Sequence, residues 1–344
     1  MRALLFFIVS TTILGSSLWA GTEPPAPWNI GPPIDDPVYT PAELVASFRR
    51  AFGYQHGRVW HAKGIILEGE FTPDSHAKAL TKASHLQGAG CKVIVRFSNF
   101  SGVPTIPDND PLANPRGMAI RFELPGGAST DVVAHSYNGF PVSNTDELRE
   151  LILALAASGP GAPPPNAFES FLDSHPVARK FLSEQKIPAS FATIAYYGVG
   201  SFKFVNARGQ AHCARYQLRP EEGEELLTQE QAQKQSADYL MDEIKARLAQ
   251  TPVTFDLYAQ VAESNDKTKD LSIPLPDDRK RVLLGKIQIK NITANTPEED
   301  RALVFCPSNV PAGIETADGM SSFYSKVFRL SAKEERGVAP VAGN

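Results

Sequence analysis

Between Gly64 and Ile292 the chain returns repeatedly to short runs in which apolar and polar residues alternate: GIILEGEFT, CKVIVRFSNF, GMAIRFELP, SFKFVNA, ARYQLRP, VTFDLYAQVA and RVLLGKIQIKNI. Alternation with period two sends successive side chains to opposite faces of a strand, so each run has one side to bury. The strands come in groups, with helical stretches before, between and after the groups. That order favours an antiparallel sheet or barrel over a parallel one with a helix after every strand. Arg208-Gly209-Gln210 joins two of the runs as a hairpin turn, and Asp131 to Val133 reads as a short further strand. The expectation is an α+β fold.

Helices are expected where apolar residues recur at helical spacing. Thr40-Pro41-Ala42-Glu43 is a helix start, with Thr40 capping, Pro41 at the first helical position and Glu43 three residues after the cap. That helix should run to about Phe52 and stop at Gly53. Others are expected at 75–86, at 144–157 with Leu148, Leu151, Ile152 and Leu155 on one face, near 166–185, within 221–250, and at 318–336. No internal repeat of roughly 20 to 50 residues is present. No linker divides the chain, so residues 42–336 form one domain, followed by a tail at 337–344.

The first twenty residues are of another kind. Arg2 precedes the uncharged run Ala3 to Leu14, and small residues lead to Ala20 and Gly21. This is the order of a secretory signal peptide cleaved after Ala20. The apolar run is too short to span a bilayer comfortably, so no stable membrane insertion is expected after cleavage. The expected location is the periplasm or the exterior. A proline-rich arm, residues 21–41, follows as an extended segment.

Composition narrows the partners. A net charge of −4 over 344 residues gives no basic field for nucleic acid. Cys91, Cys213 and Cys306 are far apart and odd in number, so at most one bridge can form and at least one thiol stays unpaired within the monomer. They have no zinc or cluster spacing and are best read as small buried hydrophobes.

The chemistry-bearing set is Arg58, His61, Arg96 and Ser98. Arg58-x-x-His61 and Arg96-Phe97-Ser98 lie on what read as consecutive strands. Arg96 and Ser98 share a face, so one surface offers an imidazole, a hydroxyl to orient it and a guanidinium to hold an anion.

The words around these residues resemble the heme catalase superfamily, in order and spacing. They are RVWHAKG, VRFSN, Asp110-Pro111 leading to NPRGMAIRFELP, and DVVAHSYNGFPV. The chain is most similar to the small single-domain catalase-related peroxidases, with the likeness running from about Arg58 to Ser331. The resemblance implies a catalase-like antiparallel barrel with flanking helices. It also implies heme b as cofactor, and a peroxide substrate reduced by a small-molecule electron donor.

By the same resemblance, His61 is the distal acid/base that carries a proton from one peroxide oxygen to the other. Ser98 orients it, Arg58 and Arg96 pair with heme propionates, and Trp60 stands against the distal heme face. His135, in His135-Ser136-Tyr137-Asn138, replaces the distal asparagine of large catalases and either touches the substrate channel or is structural.

The last helix departs from the family pattern. In DGMSSFYSKVFRLS, residues 318–331, Asp318, Phe323 and Ser331 hold the register, which puts Phe328 where the axial tyrosine belongs and Tyr324 where its supporting arginine belongs. Phenylalanine cannot bind iron, and Tyr324 lies one turn earlier on the same helix face. Two functions follow. One is an exported heme peroxidase, its heme held by Arg58, Arg96 and either Tyr324 or no strong ligand. The other is a non-enzymatic relative that binds heme weakly or takes another apolar ligand.

Overall fold

The computed structural model describes residues 38–54, 58–293, 300 and 302–337. The expected signal peptide, all but the last residues of the proline-rich arm, and tail residues 338–344 lie outside the described residues.

Nine strands form one antiparallel sheet: β1 (Gly64–Pro73), β2 (Cys91–Ser98), β3 (Gly117–Glu123), β4 (Ser129–His135), β5 (Tyr196–Val205), β6 (Ala211–Pro220), β7 (Val253–Val261), β8 (Arg281–Ile292) and β9 (Ile314–Thr316). Their order is β4-β3-β2-β1-β8-β7-β6-β5-β9. The sheet closes where His135 of β4 pairs with Tyr197 of β5, making an eight-stranded barrel, and β9 takes a further stretch of the β5 edge at Phe202–Phe204. Closure leaves neither β4 nor β5 as an open edge.

The helices are α1 (Pro41–Phe52), α2 (Ala77–Leu80), α3 (Thr145–Ala157), α4 (Ala167–Ser174), α5 (Pro176–Ser183), α6 (Gln229–Gln233), α7 (Tyr239–Leu248) and α8 (Gly319–Gly337). The start of α1 is the expected capping box. Thr40 Oγ1 accepts from the Glu43 amide, and Glu43 accepts from the Thr40 amide at 2.8 Å. Such a cap contributes about 1 kcal/mol.

Two hydrophobic clusters hold the fold. The inward faces of the strands make the first, in which Phe97 stacks on Phe191 at 5.2 Å and lies 5.8 Å from Tyr196. The second joins α1 and α3 to α8 through Leu44, Phe48, Leu148, Ile152, Phe323 and Val327, and it includes Val59 and Trp60 of the α1–β1 connection. The loop carrying His61 therefore begins inside the helical cluster and ends at a barrel strand.

Several boundaries differ from expectation. Residues 75–86 are not one helix: α2 ends at Thr81, which is extended, and a short 3₁₀ turn follows at Ser84–Leu86. The Thr81 hydroxyl donates to the Gly313 carbonyl at 2.7 Å, a tertiary contact that breaks the helical run. The helices expected near 166–185 are α4 and α5, which meet at His175-Pro176, where proline restricts the preceding residue. The short strand at 131–133 extends to Ser129–His135. Cys91, Cys213 and Cys306 are all free thiols, Cys306 buried and the other two half-buried.

Candidate active site

Arg58 and His61 lie on the loop before β1, not on a strand as the sequence suggests. The reason is tertiary. The His61 amide donates to the Phe100 carbonyl at 2.8 Å and the Ala62 amide to Ser101 at 3.0 Å, while the Asn99 amide donates to Lys63 at 2.9 Å. These bonds hold His61 at φ 51, the one positive φ outside glycine among the described residues. Such a conformation costs about 1–3 kcal/mol and persists only where neighbours over-determine it.

The imidazole is set by β2 and β3. Its Nδ1 lies 3.0 Å from Ser98 Oγ at the end of β2. The ring fits because Gly117, paired with Ser98 at the start of β3, has no side chain. A Cβ there would fall 2.5 Å from Ser98 Oγ and 2.7 Å from His61 Nδ1. Burial, with Arg96, His135 and Arg58 nearby, pushes the His61 pKa down to about 3, so the ring is neutral at ordinary pH. The Asn99 backbone acts in the opposite sense as a hydrogen-bond partner of the ring.

Arg96, two residues before Ser98 on β2, points to the same face as expected. Its guanidinium reaches Asp300 with both Nε and Nη2, the second bond at 3.0 Å, and donates to the Ala62 carbonyl at 3.2 Å. Gly64 leaves room for it, because a Cβ there would meet Arg96 Cζ at 2.5 Å. Arg58 grips the same residue: its Nη2 lies 3.1 Å from Asp300 Oδ1 and 2.6 Å from the Leu303 carbonyl, and it also donates to the Asp300 carbonyl. Burial opposes charge on Asp300, but Arg96 and Arg58 outweigh it and hold the carboxyl below its usual range.

Trp60 is buried between α1 and α8. Its ring meets Phe48 edge-on at 4.2 Å, Phe328 at 5.3 Å and Tyr324 at 5.4 Å. Helix α8 is anchored by Asp318, which accepts from the amides of Ser321 and of Ser201 on β5, both at 2.7 Å. From that anchor Tyr324 and Phe328 project on one face with their rings 6.2 Å apart. The Tyr324 hydroxyl is buried with no hydrogen-bond partner, and burial raises its pKa, as does Asp318. Arg329 is turned toward Cys306.

Two cavities adjoin at Trp60, His61, Val133, Ala134 and Phe328. One has Arg58, Arg96 and Ser98 in its wall; the other has Tyr324, His135 and several phenylalanines. Both ring nitrogens of His135 are buried without a partner, and burial lowers its pKa to about 4. The structure thus gathers every sequence-selected residue around one cavity pair.

Heme, which the resemblance implies, can be tested against this donor set. A pair of arginines already grips a carboxylate, the group a propionate presents. A neutral histidine fixed by a serine lines both cavities, and an unpartnered phenol lines one. The residues fit on these counts, with Tyr324 as the oxygen donor on α8, because Phe328 offers none. Sequence reasoning missed Asp300, which has no motif, and the two glycines; Gly117 was visible within PRGMAIRF, though its purpose was not.

The family model for catalase matches residues 43–322. The catalase-related peroxidase of Mycolicibacterium paratuberculosis is 36% identical over 305 residues, covering 87% of this chain and 96% of that protein. The catalase-related peroxidase of Synechococcus elongatus is 29% identical over 309 residues, covering 87% and 90%. Among solved structures, catalase A from Saccharomyces cerevisiae superposes with a TM-score of 0.70 at 20% identity, covering 81% of this chain and 60% of that one. With the barrel and most of the chain's length in agreement, this chain belongs to the catalase family.

Proposed function

We propose that this protein is an exported heme peroxidase that reduces hydrogen peroxide or organic peroxides with an external small-molecule electron donor. The observation that carries the reading is His61: a neutral imidazole held at a strained φ, hydrogen-bonded to Ser98 and facing both cavities. Bound heme b would supply the iron that accepts electrons from the donor and passes them to the peroxide.

The chain's own residues do the rest. An Nδ1–H tautomer, donating toward Ser98 Oγ, leaves the Nε2 lone pair to take the proton from the near peroxide oxygen. With its pKa held near 3, the ring then gives that proton up readily to the departing oxygen, so water leaves. Arg58 and Arg96 would hold the propionates, and Tyr324 would offer its phenol oxygen to the iron. Trp60 narrows the approach to His61.

His61→Ala tests this reading. In heme-loaded protein it should lower peroxide turnover by about 10² to 10⁴-fold, the usual contribution of a positioned acid/base. Unchanged turnover would remove His61 from the chemistry.

Phe328 favours a second reading, a non-enzymatic binder of heme or of another apolar ligand. Among the described residues no cation acts to stabilise a Tyr324 phenolate, and Asp318 acts against one. Hemin binding without peroxide turnover would select this reading. Export rests on the leader at residues 1–20.

A further inference from the structure

We infer that Asp300 is an internal counter-anion seated in the carboxylate clamp of the site, and that an anionic ligand must displace it to bind there. The inference rests on the heme-binding reading only in its choice of hemin as probe.

The geometry is that of a filled receptor. Arg96 engages Asp300 with the Nε and Nη2 edge of its fork, one nitrogen to each carboxylate oxygen. This is the bidentate arrangement by which arginine recognises any carboxylate. Arg58 closes the other side through Asp300 Oδ1. The Arg96 side chain is 4% exposed and that of Asp300 21% exposed, so the carboxylate closes the clamp from its more open side. The same two arginines line the cavity that contains His61 and Ser98.

Hydrogen-bond geometry sets the two occupants in competition for the same Arg96 edge. A fork edge that already donates both N–H groups to one carboxylate cannot donate them to a second. Two carboxylates at one clamp would also repel in a partly buried setting where screening is weak. Taking Asp300 away from the buried Arg96 is costly too, because a desolvated charge needs a partner. Asp300 thus offsets one of the two positive charges of the clamp in the ligand-free protein and competes with an incoming anion for the Arg96 edge. It reaches the clamp from 204 residues away in sequence, on the connection that leads from β8 toward β9 and α8.

The alternative is that Asp300 merely organises the two arginines for a ligand that binds beside it. The two roles give opposite signs. Wild type and Asp300→Asn are titrated with hemin and with hemin dimethyl ester, which lacks both carboxylates, and the Soret band is followed. Competition predicts that the substitution tightens hemin roughly tenfold or more, equivalent to about 1.4 kcal/mol per decade, and leaves the ester unchanged. Hemin bound equally or more weakly by Asp300→Asn, or an equal gain for the ester, overturns the inference.

A second arm needs no heme. In Asp300→Ala the emptied clamp should take formate, so the melting temperature of this variant rises with formate above an equal concentration of chloride, while wild type shows no such difference. Absence of that difference also overturns the inference. If no form of the protein binds hemin, the peroxidase reading falls and the formate arm alone decides the role of Asp300.

Discussion

Gly117 is the position where one added methyl group should separate catalysis from folding most clearly. A Cβ there would stand 2.5 Å from Ser98 Oγ, 2.7 Å from His61 Nδ1 and 2.8 Å from His61 Cε1. Ordinary contact begins near 3.4 Å, so three atoms must yield by about 0.6 to 0.9 Å. None can yield cheaply. Ser98 is buried on a strand paired on both sides, and His61 is pinned by its amide bond to Phe100. Overpacking of this size costs about 1–3 kcal/mol of stability. Displacing a catalytic group by nearly 1 Å costs about 10²-fold in rate.

Gly117→Ala should therefore fold, unfold at lower urea concentration, and lose about 10²-fold in kcat/KM for peroxide in heme-loaded protein. Gly88→Ala is the control, since its Cβ would meet nothing within 4 Å. The Gly117→Ala/Ser98→Ala double variant should be less destabilised than the sum of the two singles, because the nearest clashing atom is gone. Wild-type turnover in Gly117→Ala would refute the assignment of the His61–Ser98 pair.

Acidification should destabilise the protein through its buried histidines. His61 is held near pKa 3, and His85 and His135 near 4, all below the 6.5 of an exposed histidine. The unfolded chain thus binds more protons as pH falls from 6.5 toward 4, so unfolding becomes easier in that window, and urea midpoints in His135→Asn should fall less steeply than in wild type. Parallel slopes would contradict a buried neutral His135. Replacing both altered positions, Phe328→Tyr with Tyr324→Arg, should raise hemin affinity, and a titration showing no gain would mean that the register of the last helix differs from the family's. Secreted protein should begin at Gly21 by intact-mass measurement, whereas a retained leader would contradict cleavage after Ala20.

The barrel was legible because it is built from local signals. Seven alternating runs, from GIILEGEFT to RVLLGKIQIKNI, became β1, β2, β3 and β5 to β8. Thr40 and Glu43 capped α1 as their spacing predicts. What was not legible depends on contacts distant in sequence. His61 left the strand because Phe100 and Ser101 take its loop's amides, and Thr81 broke a helix to reach Gly313. Three-residue β9 is too short to show alternation, and it exists because β5 offers it an edge.

The site divides in the same way. Arg96 and Ser98 were placed on one face by strand periodicity alone. Arg58 and His61 were selected from the residues, but their roles, and the choice of Tyr324, came from the family resemblance, which did not supply their surroundings. Asp300 was invisible to both, since a carboxylate that closes a clamp 204 residues away leaves no local pattern.

The central claim is that this cavity holds heme with Tyr324 as its donor from α8, beneath a functional His61. Its most direct test is a hemin titration of residues 21–344, followed at the Soret band, with Tyr324→Phe in parallel. The account predicts a stoichiometric end point for wild type, and a shifted band with weaker binding for Tyr324→Phe. A wild-type protein that forms no saturable Soret band, or a Tyr324→Phe protein with the wild-type spectrum and affinity, would contradict it.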